Sequence, residues 1–266
     1  MQTSFLFIAA STALHRLHPV VKVVGLVLLF LPALAFNHPA WEAAVLGLSI
    51  LLLLLAHGGA NLRRLGWFLL LLFVMSALMW SLFLLDVKEP HVLFEIGALT
   101  VSRQSLLYGL AMGCRITSLL LFGLTFVTTT RPEEFTFALR RMGLPGTVSV
   151  ALSLSFRLLP AFLGTVQTVK DAQRARGLDL NRGSVLSRLR RYLSLAAPVF
   201  GYALRQADNL SRALEARGVM AQGRRTELRQ FTMRWSDVAV MVAIVIVAAG
   251  SVYLRLCGYG EVLPRL

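Results

Sequence analysis

The tripeptide Ala-Arg-Gly occurs twice in the sequence, and each copy closes a segment that is rich in charge. Glycine is common just past the end of a helix, and an arginine in the last turn faces the negative end of the helix dipole. Each copy alone therefore predicts a helix end. The recurrence predicts two guanidinium groups on helix tips, where their planar fork of donors suits the carboxylates of a partner protein. The two copies are Ala175, Arg176 and Gly177, and Ala216, Arg217 and Gly218.

The lysines and the acidic residues form no nucleotide-binding or catalytic pattern. No G-x-x-x-x-G-K-[ST] stretch is present, and Lys22, Lys88 and Lys170 follow no glycine-rich loop. We therefore expect a non-catalytic chain that binds no ATP and holds no cofactor. Asp171 and Asp179 lie among arginines, which predicts salt pairs rather than the clustered acids of a metal-dependent enzyme.

Histidine and cysteine predict no metal or redox site either. His15 and His18 are three residues apart and could share a helix face, but beside Pro19 we interpret them as a feature of the membrane interface. Cys114 and Cys257 lie within apolar runs, which favours two buried thiols over a disulfide or a metal site.

The composition is that of a membrane protein. Of 266 residues, 56% are hydrophobic and 15% are charged, and the mean hydropathy is +0.69. The net charge of +14 could suggest a nucleic-acid partner, but no recognition motif or basic patch with interleaved aromatic residues supports that class. The apolar segment from Met1 to Leu14 has no basic residue ahead of it, so we expect no cleaved signal peptide.

Five apolar runs are long enough to cross a bilayer, which takes about 20 helical residues or somewhat fewer. Without the alternation of barrel strands, the runs must be helices, because a backbone in lipid satisfies its own hydrogen bonds. The predicted fold class is an all-α polytopic membrane protein with about five transmembrane helices and a cytoplasmic insert of amphipathic helices. The predicted spans are Val20 to Phe36, Trp41 to His57, Gly66 to Leu85, Ser105 to Thr128 and Trp235 to Leu256.

Residues 144–164 are apolar enough to be a sixth span, but the charge pattern favours a helix along the inner membrane face. Residues 131–234 contain 18 basic and seven acidic residues, which is most of the net positive charge. Because short basic loops stay in the cytoplasm, we place this block inside a prokaryotic plasma membrane, with the amino terminus inside and the carboxyl terminus outside. The loop with Arg63 and Arg64 is then cytoplasmic, and "NHP" and "DVKEPHVLFE" face out.

The same pattern predicts the domain organisation. Residues 1–130 form a membrane domain with four spans, residues 131–234 form the cytoplasmic region, and residues 235–266 hold the final span and the tail.

Three helices are predicted in the cytoplasmic region. A short helix runs from a cap at Thr130 to a stop at Gly143 and Pro145. The two long helices carry apolar or small residues at alternating intervals of three and four, a pattern typical of amphipathic helices, and the second should bend at Pro198. These faces could cross each other closely or pack against the rest of the protein. The first face includes Leu154, Leu158 and Ala161, and the second includes Leu186, Leu193, Phe200 and Leu214.

Two features stand out within the predicted spans. Gly109 and Gly113 form a G-x-x-x-G step that allows either close helix contact or ordinary packing of small residues. Arg115 is a cation in an apolar run, and we expect it to point into the bundle or toward the outer headgroups.

The order of these segments resembles the transmembrane T component of energy-coupling factor transporters, the family that includes the cobalt-transport protein CbiQ. The resemblance covers nearly the whole chain, and the paired Ala-Arg-Gly tripeptides are its most specific mark. It rests on "LHRLHPVVK", "TTRPEEFTFALRRMGLP", "FRLLPAFLGTVQTVKDAQRARGLD" and "ADNLSRALEARGV".

The resemblance implies a function and a set of partners. T components join two cytoplasmic ABC-type ATPases, identical or different, to a separate membrane protein that binds a vitamin or a transition-metal ion. ATP and magnesium are bound by the ATPases. By resemblance, Arg176 and Arg217 each contact one ATPase subunit, and the alanines and glycines beside them let the helix tips fit. The long helices would be the coupling helices of the family, with their apolar faces against the substrate-binding protein.

Three alternatives stay open at this point. A conventional ABC permease is the first, because "DAQRARG" matches half of the coupling signature E-A-A-x-x-x-G, although the downstream Ile and Leu-Pro are missing. A membrane-embedded enzyme acting on lipid headgroups is the second. The third is a basic insert that only binds anionic lipid, which would not explain the repeated tripeptide.

Overall fold

A computed structural model describes residues 12–83, 92–96, 99–177, 184–219 and 231–258. The architecture is helical, as predicted, with one short antiparallel hairpin described in the segment between the third and fourth predicted spans. The elements in chain order are α1 Ala13–Arg16, α2 Pro19–Ala35, α3 Pro39–Leu55, α4 Gly59–Phe83, β1 Val92–Ile96, β2 Leu99–Ser102, α5 Arg103–Thr129, α6 Pro132–Arg141, α7 Gly146–Ala175, α8 Val185–Ala216 and α9 Trp235–Leu256.

The chain divides into two compact units. The first consists of Met1–Pro145 and Phe231–Leu266, and the second of Gly146–Gln230. In the first unit α5 packs against α3 and α4, while α2 packs against α5, α6 and α9. The short helix α6 therefore belongs to the first unit, so the compact units divide after Pro145 rather than near residue 131.

Length and composition identify four helices that could cross a membrane in the described part of the chain, namely α4, α5, α7 and α9. Helices α2 and α3 are apolar but have 17 residues each, about 26 Å at the standard rise and near the lower limit for a span. Because α7 is also long and apolar enough, the predicted placement of residues 144–164 along the membrane surface rests on the charge pattern alone.

Helix α4 begins earlier than the sequence indicated. The predicted loop with Arg63 and Arg64 is wrong, because both residues lie in the first turns of α4. The chain reverses within three residues after α3: His57 adopts φ +56°, and the Gly58 N–H donates to Leu53 O at 2.9 Å. Such a tight turn leaves no residues for a basic loop. The start of α4 is then fixed by Asn61, whose Nδ2 donates to Thr128 Oγ1 of α5 at 3.0 Å.

The helix α6 ends as predicted but starts differently. Its N-cap is Arg131, not Thr130, because the helix begins at Pro132 and the Thr130 N–H still bonds to Phe126 O at the end of α5. At the other end, Gly143 adopts φ +108°, a conformation that suits glycine.

The G-x-x-x-G step brings α5 close to α4, which confirms the close-contact interpretation. A Cβ added at Gly109 would lie 2.5 Å from Ala77 O, and one at Gly113 would lie 3.1 Å from the Phe73 ring. Only a residue without a side chain fits at that distance from a backbone oxygen.

Two arginines satisfy the carboxyl-terminal carbonyl groups of α2. The last four carbonyls of a helix have no partner within the helix, and lipid supplies none. Arg115 Nε donates to Ala33 O at 2.8 Å, and its Nη2 donates to Phe36 O. Arg255 Nη1 donates to the two carbonyls in between, those of Leu34 at 2.9 Å and Ala35 at 2.8 Å.

The charge of Arg115 is balanced by Glu42, whose Oε1 lies 3.2 Å from Arg115 Nε and whose side chain is fully buried. Arg115 Nη2 also donates to Asn37 Oδ1 at 2.8 Å. The expectation that Arg115 points into the bundle is confirmed.

Replacing Gly109 by Ala should destabilise the first unit by about 1–3 kcal/mol, because α4 and α5 must separate to admit the methyl group. Gly123→Ala on the same helix is the control: an added Cβ meets nothing within 4 Å there, and the gain in helix propensity should slightly stabilise the protein. Thermal unfolding in detergent measures both. Equal melting temperatures for the two variants would contradict the close approach.

Arg115→Leu should cost about 3–5 kcal/mol, because it leaves Glu42 as an uncompensated buried charge. The double variant Arg115→Leu, Glu42→Leu should recover part of this loss, since no lone charge remains. Urea unfolding in mixed micelles gives the three free energies. A single variant as stable as the native chain would show that Arg115 does not anchor α5 to α2 and α3.

Candidate functional site

The first Ala-Arg-Gly ends helix α7. Ala175 is the last helical residue, and Gly177 adopts φ +86°. The Gly177 N–H donates to Arg174 O at 2.9 Å, which closes the helix. An added Cβ at Gly177 would meet nothing within 4 Å. The left-handed backbone, rather than lack of space, therefore explains the glycine.

The second copy ends helix α8 in the same way. Ala216 is the last helical residue, Arg217 is the C-cap, and Gly218 adopts φ +64°. The Gly218 N–H donates to Glu215 O at 2.9 Å, and the Val219 N–H donates to Leu214 O at 3.0 Å. This pair of bonds is the Schellman motif of helix ends. The two predicted helix ends are thus confirmed.

The arginines of the two tripeptides differ from the arginines that precede them. Arg174 lies 3.8 Å from Asp171 on α7, and Arg212 lies 2.8 Å from Asp208 on α8. The side chains of Arg176 and Arg217 are exposed and have no ion pair or hydrogen bond among the residues that the structure describes. Among the described residues, each helix thus pairs an arginine on its flank and leaves the arginine at its tip exposed.

Several large apolar side chains on α8 are exposed. Leu186, Leu193 and Phe200 are 76%, 63% and 65% exposed, and Leu159 and Leu163 of α7 are also exposed. Helices α7 and α8 contact each other, but this contact leaves the larger apolar side chains uncovered. Within the second unit, the contact between α7 and α8 therefore leaves an apolar surface.

The remaining candidates for chemistry have structural roles. Asp171 forms the predicted salt pair, whereas Asp179 lies outside the described residues. His18 is the N-cap of α2 and accepts from the Val20 N–H at 3.3 Å. His15 Nδ1 lies 2.6 Å from Thr12 Oγ1.

Within the described ranges, no group of three or more His, Cys, Asp or Glu side chains is placed to hold a metal ion. Cys114 is buried as predicted, but Cys257 is exposed, because it follows the end of α9.

One cavity of the first unit is apolar. Its volume is about 280 Å³, and its walls come from α2, α3, α5 and α9, with residues such as Leu29, Leu52, Phe122 and Val247. An enzyme site needs convergent polar groups, and the lining of this cavity has few.

The sequence analysis did not predict the ion pair of Lys22. Lys22 Nζ lies 2.8 Å from Glu134 Oε2, and the two side chains are 4% and 16% exposed. The signal in the sequence was Lys22 itself, a cation inside an apolar run. Its partner is 112 positions away, and no local pattern predicts a contact at that separation.

Known proteins match the chain over nearly its whole length. The family described as cobalt transport protein, CbiQ, matches residues 10–227. The energy-coupling factor transporter transmembrane protein EcfT of Bacillus subtilis is 27% identical over 94% of this chain and 96% of its own length. The EcfT protein of Thermosediminibacter oceani is 29% identical with the same coverage.

A third relative is longer. A putative ABC transporter ATP-binding protein of Bifidobacterium longum is 31% identical over 92% of this chain, and the chain spans 32% of its length. The relatives, the helical architecture and the two helix ends all indicate the same family. The chain belongs to the CbiQ family and is a membrane component of an energy-coupling factor transporter.

Proposed function

We propose that this chain is the T component that couples two cytoplasmic ABC-type ATPases to a substrate-binding membrane protein. The observation that carries the proposal is the matched pair of helix ends, each with an exposed arginine before a left-handed glycine. An arginine at such a tip can enter an acidic cleft and pair bidentately with a carboxylate. The Bifidobacterium longum relative supports an ATPase partner, since a region similar to this chain lies within a protein named as ATP-binding.

The apolar faces of α7 and α8 supply the second half of the coupling. Large side chains that the second unit itself leaves uncovered, such as Leu193 and Phe200, are stabilised when another apolar surface covers them. We propose that this surface is the substrate-binding protein. ATP-driven closure of the ATPases would move the two helix tips, and the helices would carry that motion to the protein packed against them.

The cargo is chosen by the substrate-binding protein under this proposal. The family description names cobalt, and vitamins are the other cargo class that the resemblance implies. This chain is expected to be non-catalytic, with ATP and magnesium held by the ATPases.

Arg176→Glu and Arg217→Glu should each reduce the ATPase that co-purifies with the tagged chain by roughly tenfold or more, because like charges at a contact cost several kcal/mol. Arg174→Glu and Arg212→Glu are matched controls, with the same charge change a few residues upstream on the same helices. Assembly is measured on detergent-extracted membranes, and uptake with radiolabelled cobalt(II) and a vitamin panel. Normal assembly and uptake in both tip variants would refute the coupling role.

The proposed topology places both helix tips in the cytoplasm. Reporter fusions at Arg182 and Arg224, which lie outside the described residues, should both be cytoplasmic because the surrounding block is basic. Paired alkaline phosphatase and fluorescent-protein fusions measure this. Phosphatase activity at either position would mean that α7 or α8 spans the membrane and that at least one tip cannot reach a cytoplasmic ATPase.

A further inference from the structure

The buried side chain of Lys22 on α2 holds α6 in place, and all of its hydrogen-bond donors are used. Lys22 Nζ donates to Glu134 Oε2 at 2.8 Å, to His15 O at 2.9 Å and to Thr129 O at 3.0 Å. An ammonium group has three donors, and all three are used. One side chain therefore ties α2 to α1, to the end of α5 and to α6.

An aromatic cluster packs the residues just before α9 against α6 and the start of α2. The rings of Phe137 on α6 and Phe231, which precedes α9, have centroids 4.7 Å apart. The His18 ring packs edge-on against both, at 6.0 and 6.4 Å. The Arg141 guanidinium lies over Phe137, 5.5 Å from its centroid, which adds a cation–π contact.

A buried carboxylate completes the arrangement. Asp237 is 2% exposed. Its Oδ1 accepts from the His18 N–H at 3.2 Å, and its Oδ2 accepts from the Arg234 N–H at 2.8 Å. The start of α9 is thus bonded to the N-cap of α2.

These contacts lie where the chain leaves the first unit and where it returns. The chain leaves after Pro145, just past α6, and returns at Phe231. We refer to the residues that hold both connections on the start of α2 as the junction cluster: His18, Lys22, Glu134, Phe137, Phe231 and Asp237.

We propose that the junction cluster is the point at which movement of residues 146–230 enters the first unit, with Glu134, Phe137 and Phe231 as positioning residues. This inference rests on the proposed coupling function. Close-packed rings and a buried ion pair do not deform continuously, so Glu134, Phe137 and Phe231 move with the start of α2 as one body. Since α2 packs against α5 and α9, motion of its start displaces the centre of the first unit.

The test compares uptake per ATP hydrolysed in proteoliposomes that contain the full complex. Glu134→Gln removes the charge that Lys22 faces, and Phe231→Leu removes the ring while keeping an apolar side chain. Glu133→Gln, the neighbouring acid on α6, and Phe68→Leu, exposed on α4, are the controls. The probe is whichever of radiolabelled cobalt(II) and the vitamin panel the wild-type complex transports.

We expect both junction variants to assemble and hydrolyse ATP while uptake per ATP falls by roughly fivefold or more, the lower range of coupling between two sites. The controls should keep the wild-type ratio. A purely structural role lowers complex yield, hydrolysis and uptake together and leaves the ratio unchanged.

A wild-type ratio in both variants, or loss of the complex in both, overturns the inference. If Glu134→Gln does not assemble, Phe231→Leu decides the matter. Failure of the proposed function is recognised separately: the wild-type complex would then hydrolyse ATP without driving uptake of any probe.

Discussion

The first unit depends on satisfying the polar ends of one apolar helix. Helix α2 has 17 residues, and neither lipid nor neighbouring apolar side chains can bond to its terminal backbone groups. Arg115 and Arg255 bond to four consecutive carbonyls at one end, and Lys22 joins the other end to three neighbouring segments. Because these partners come from α5, α6 and α9, satisfying α2 also sets the arrangement of the bundle. The cations that look misplaced in an apolar sequence are the groups that hold it together.

The second unit differs from the first. Few of its described side chains are buried, and both of its long helices end at a hydrogen-bonded glycine with a left-handed backbone. Within this unit the large apolar side chains on α7 and α8 stay uncovered, and each tip has one arginine without a partner among the described residues. Glycine at the left-handed position has a sufficient structural reason at both tips. The glycine of each tripeptide therefore ends the helix, and the arginine is the residue with a candidate functional role. Uncovered apolar side chains and exposed arginines at helix ends are expected in a segment that binds other proteins.

Much of the candidate site could be predicted from local sequence. The ends of α7 and α8 follow from Ala-Arg-Gly because a cap is a property of five or six consecutive residues. The G-x-x-x-G step between Gly109 and Gly113 likewise indicated a close approach. Predictions failed where the signal was not local. Arg63 and Arg64 looked like a loop because charge usually marks one, yet the three-residue reversal at His57 placed them in α4. The Thr130 cap failed because Pro132 moved the start of α6 by one residue.

The sequence by itself determined the helical class, the membrane setting and the two helix ends, since these depend on composition, on periodicity and on short-range hydrogen bonding. Only the tertiary structure decided which charges meet. Lys22 and Glu134 are 112 positions apart, and Arg255 reaches carbonyls more than 200 positions away. Such pairs arise because desolvated charges and unpaired carbonyls are costly in an apolar interior, so the bundle assembles in the arrangement that pairs them. The sequence shows that a charge lies in an apolar segment, but only the fold shows which group pairs with it.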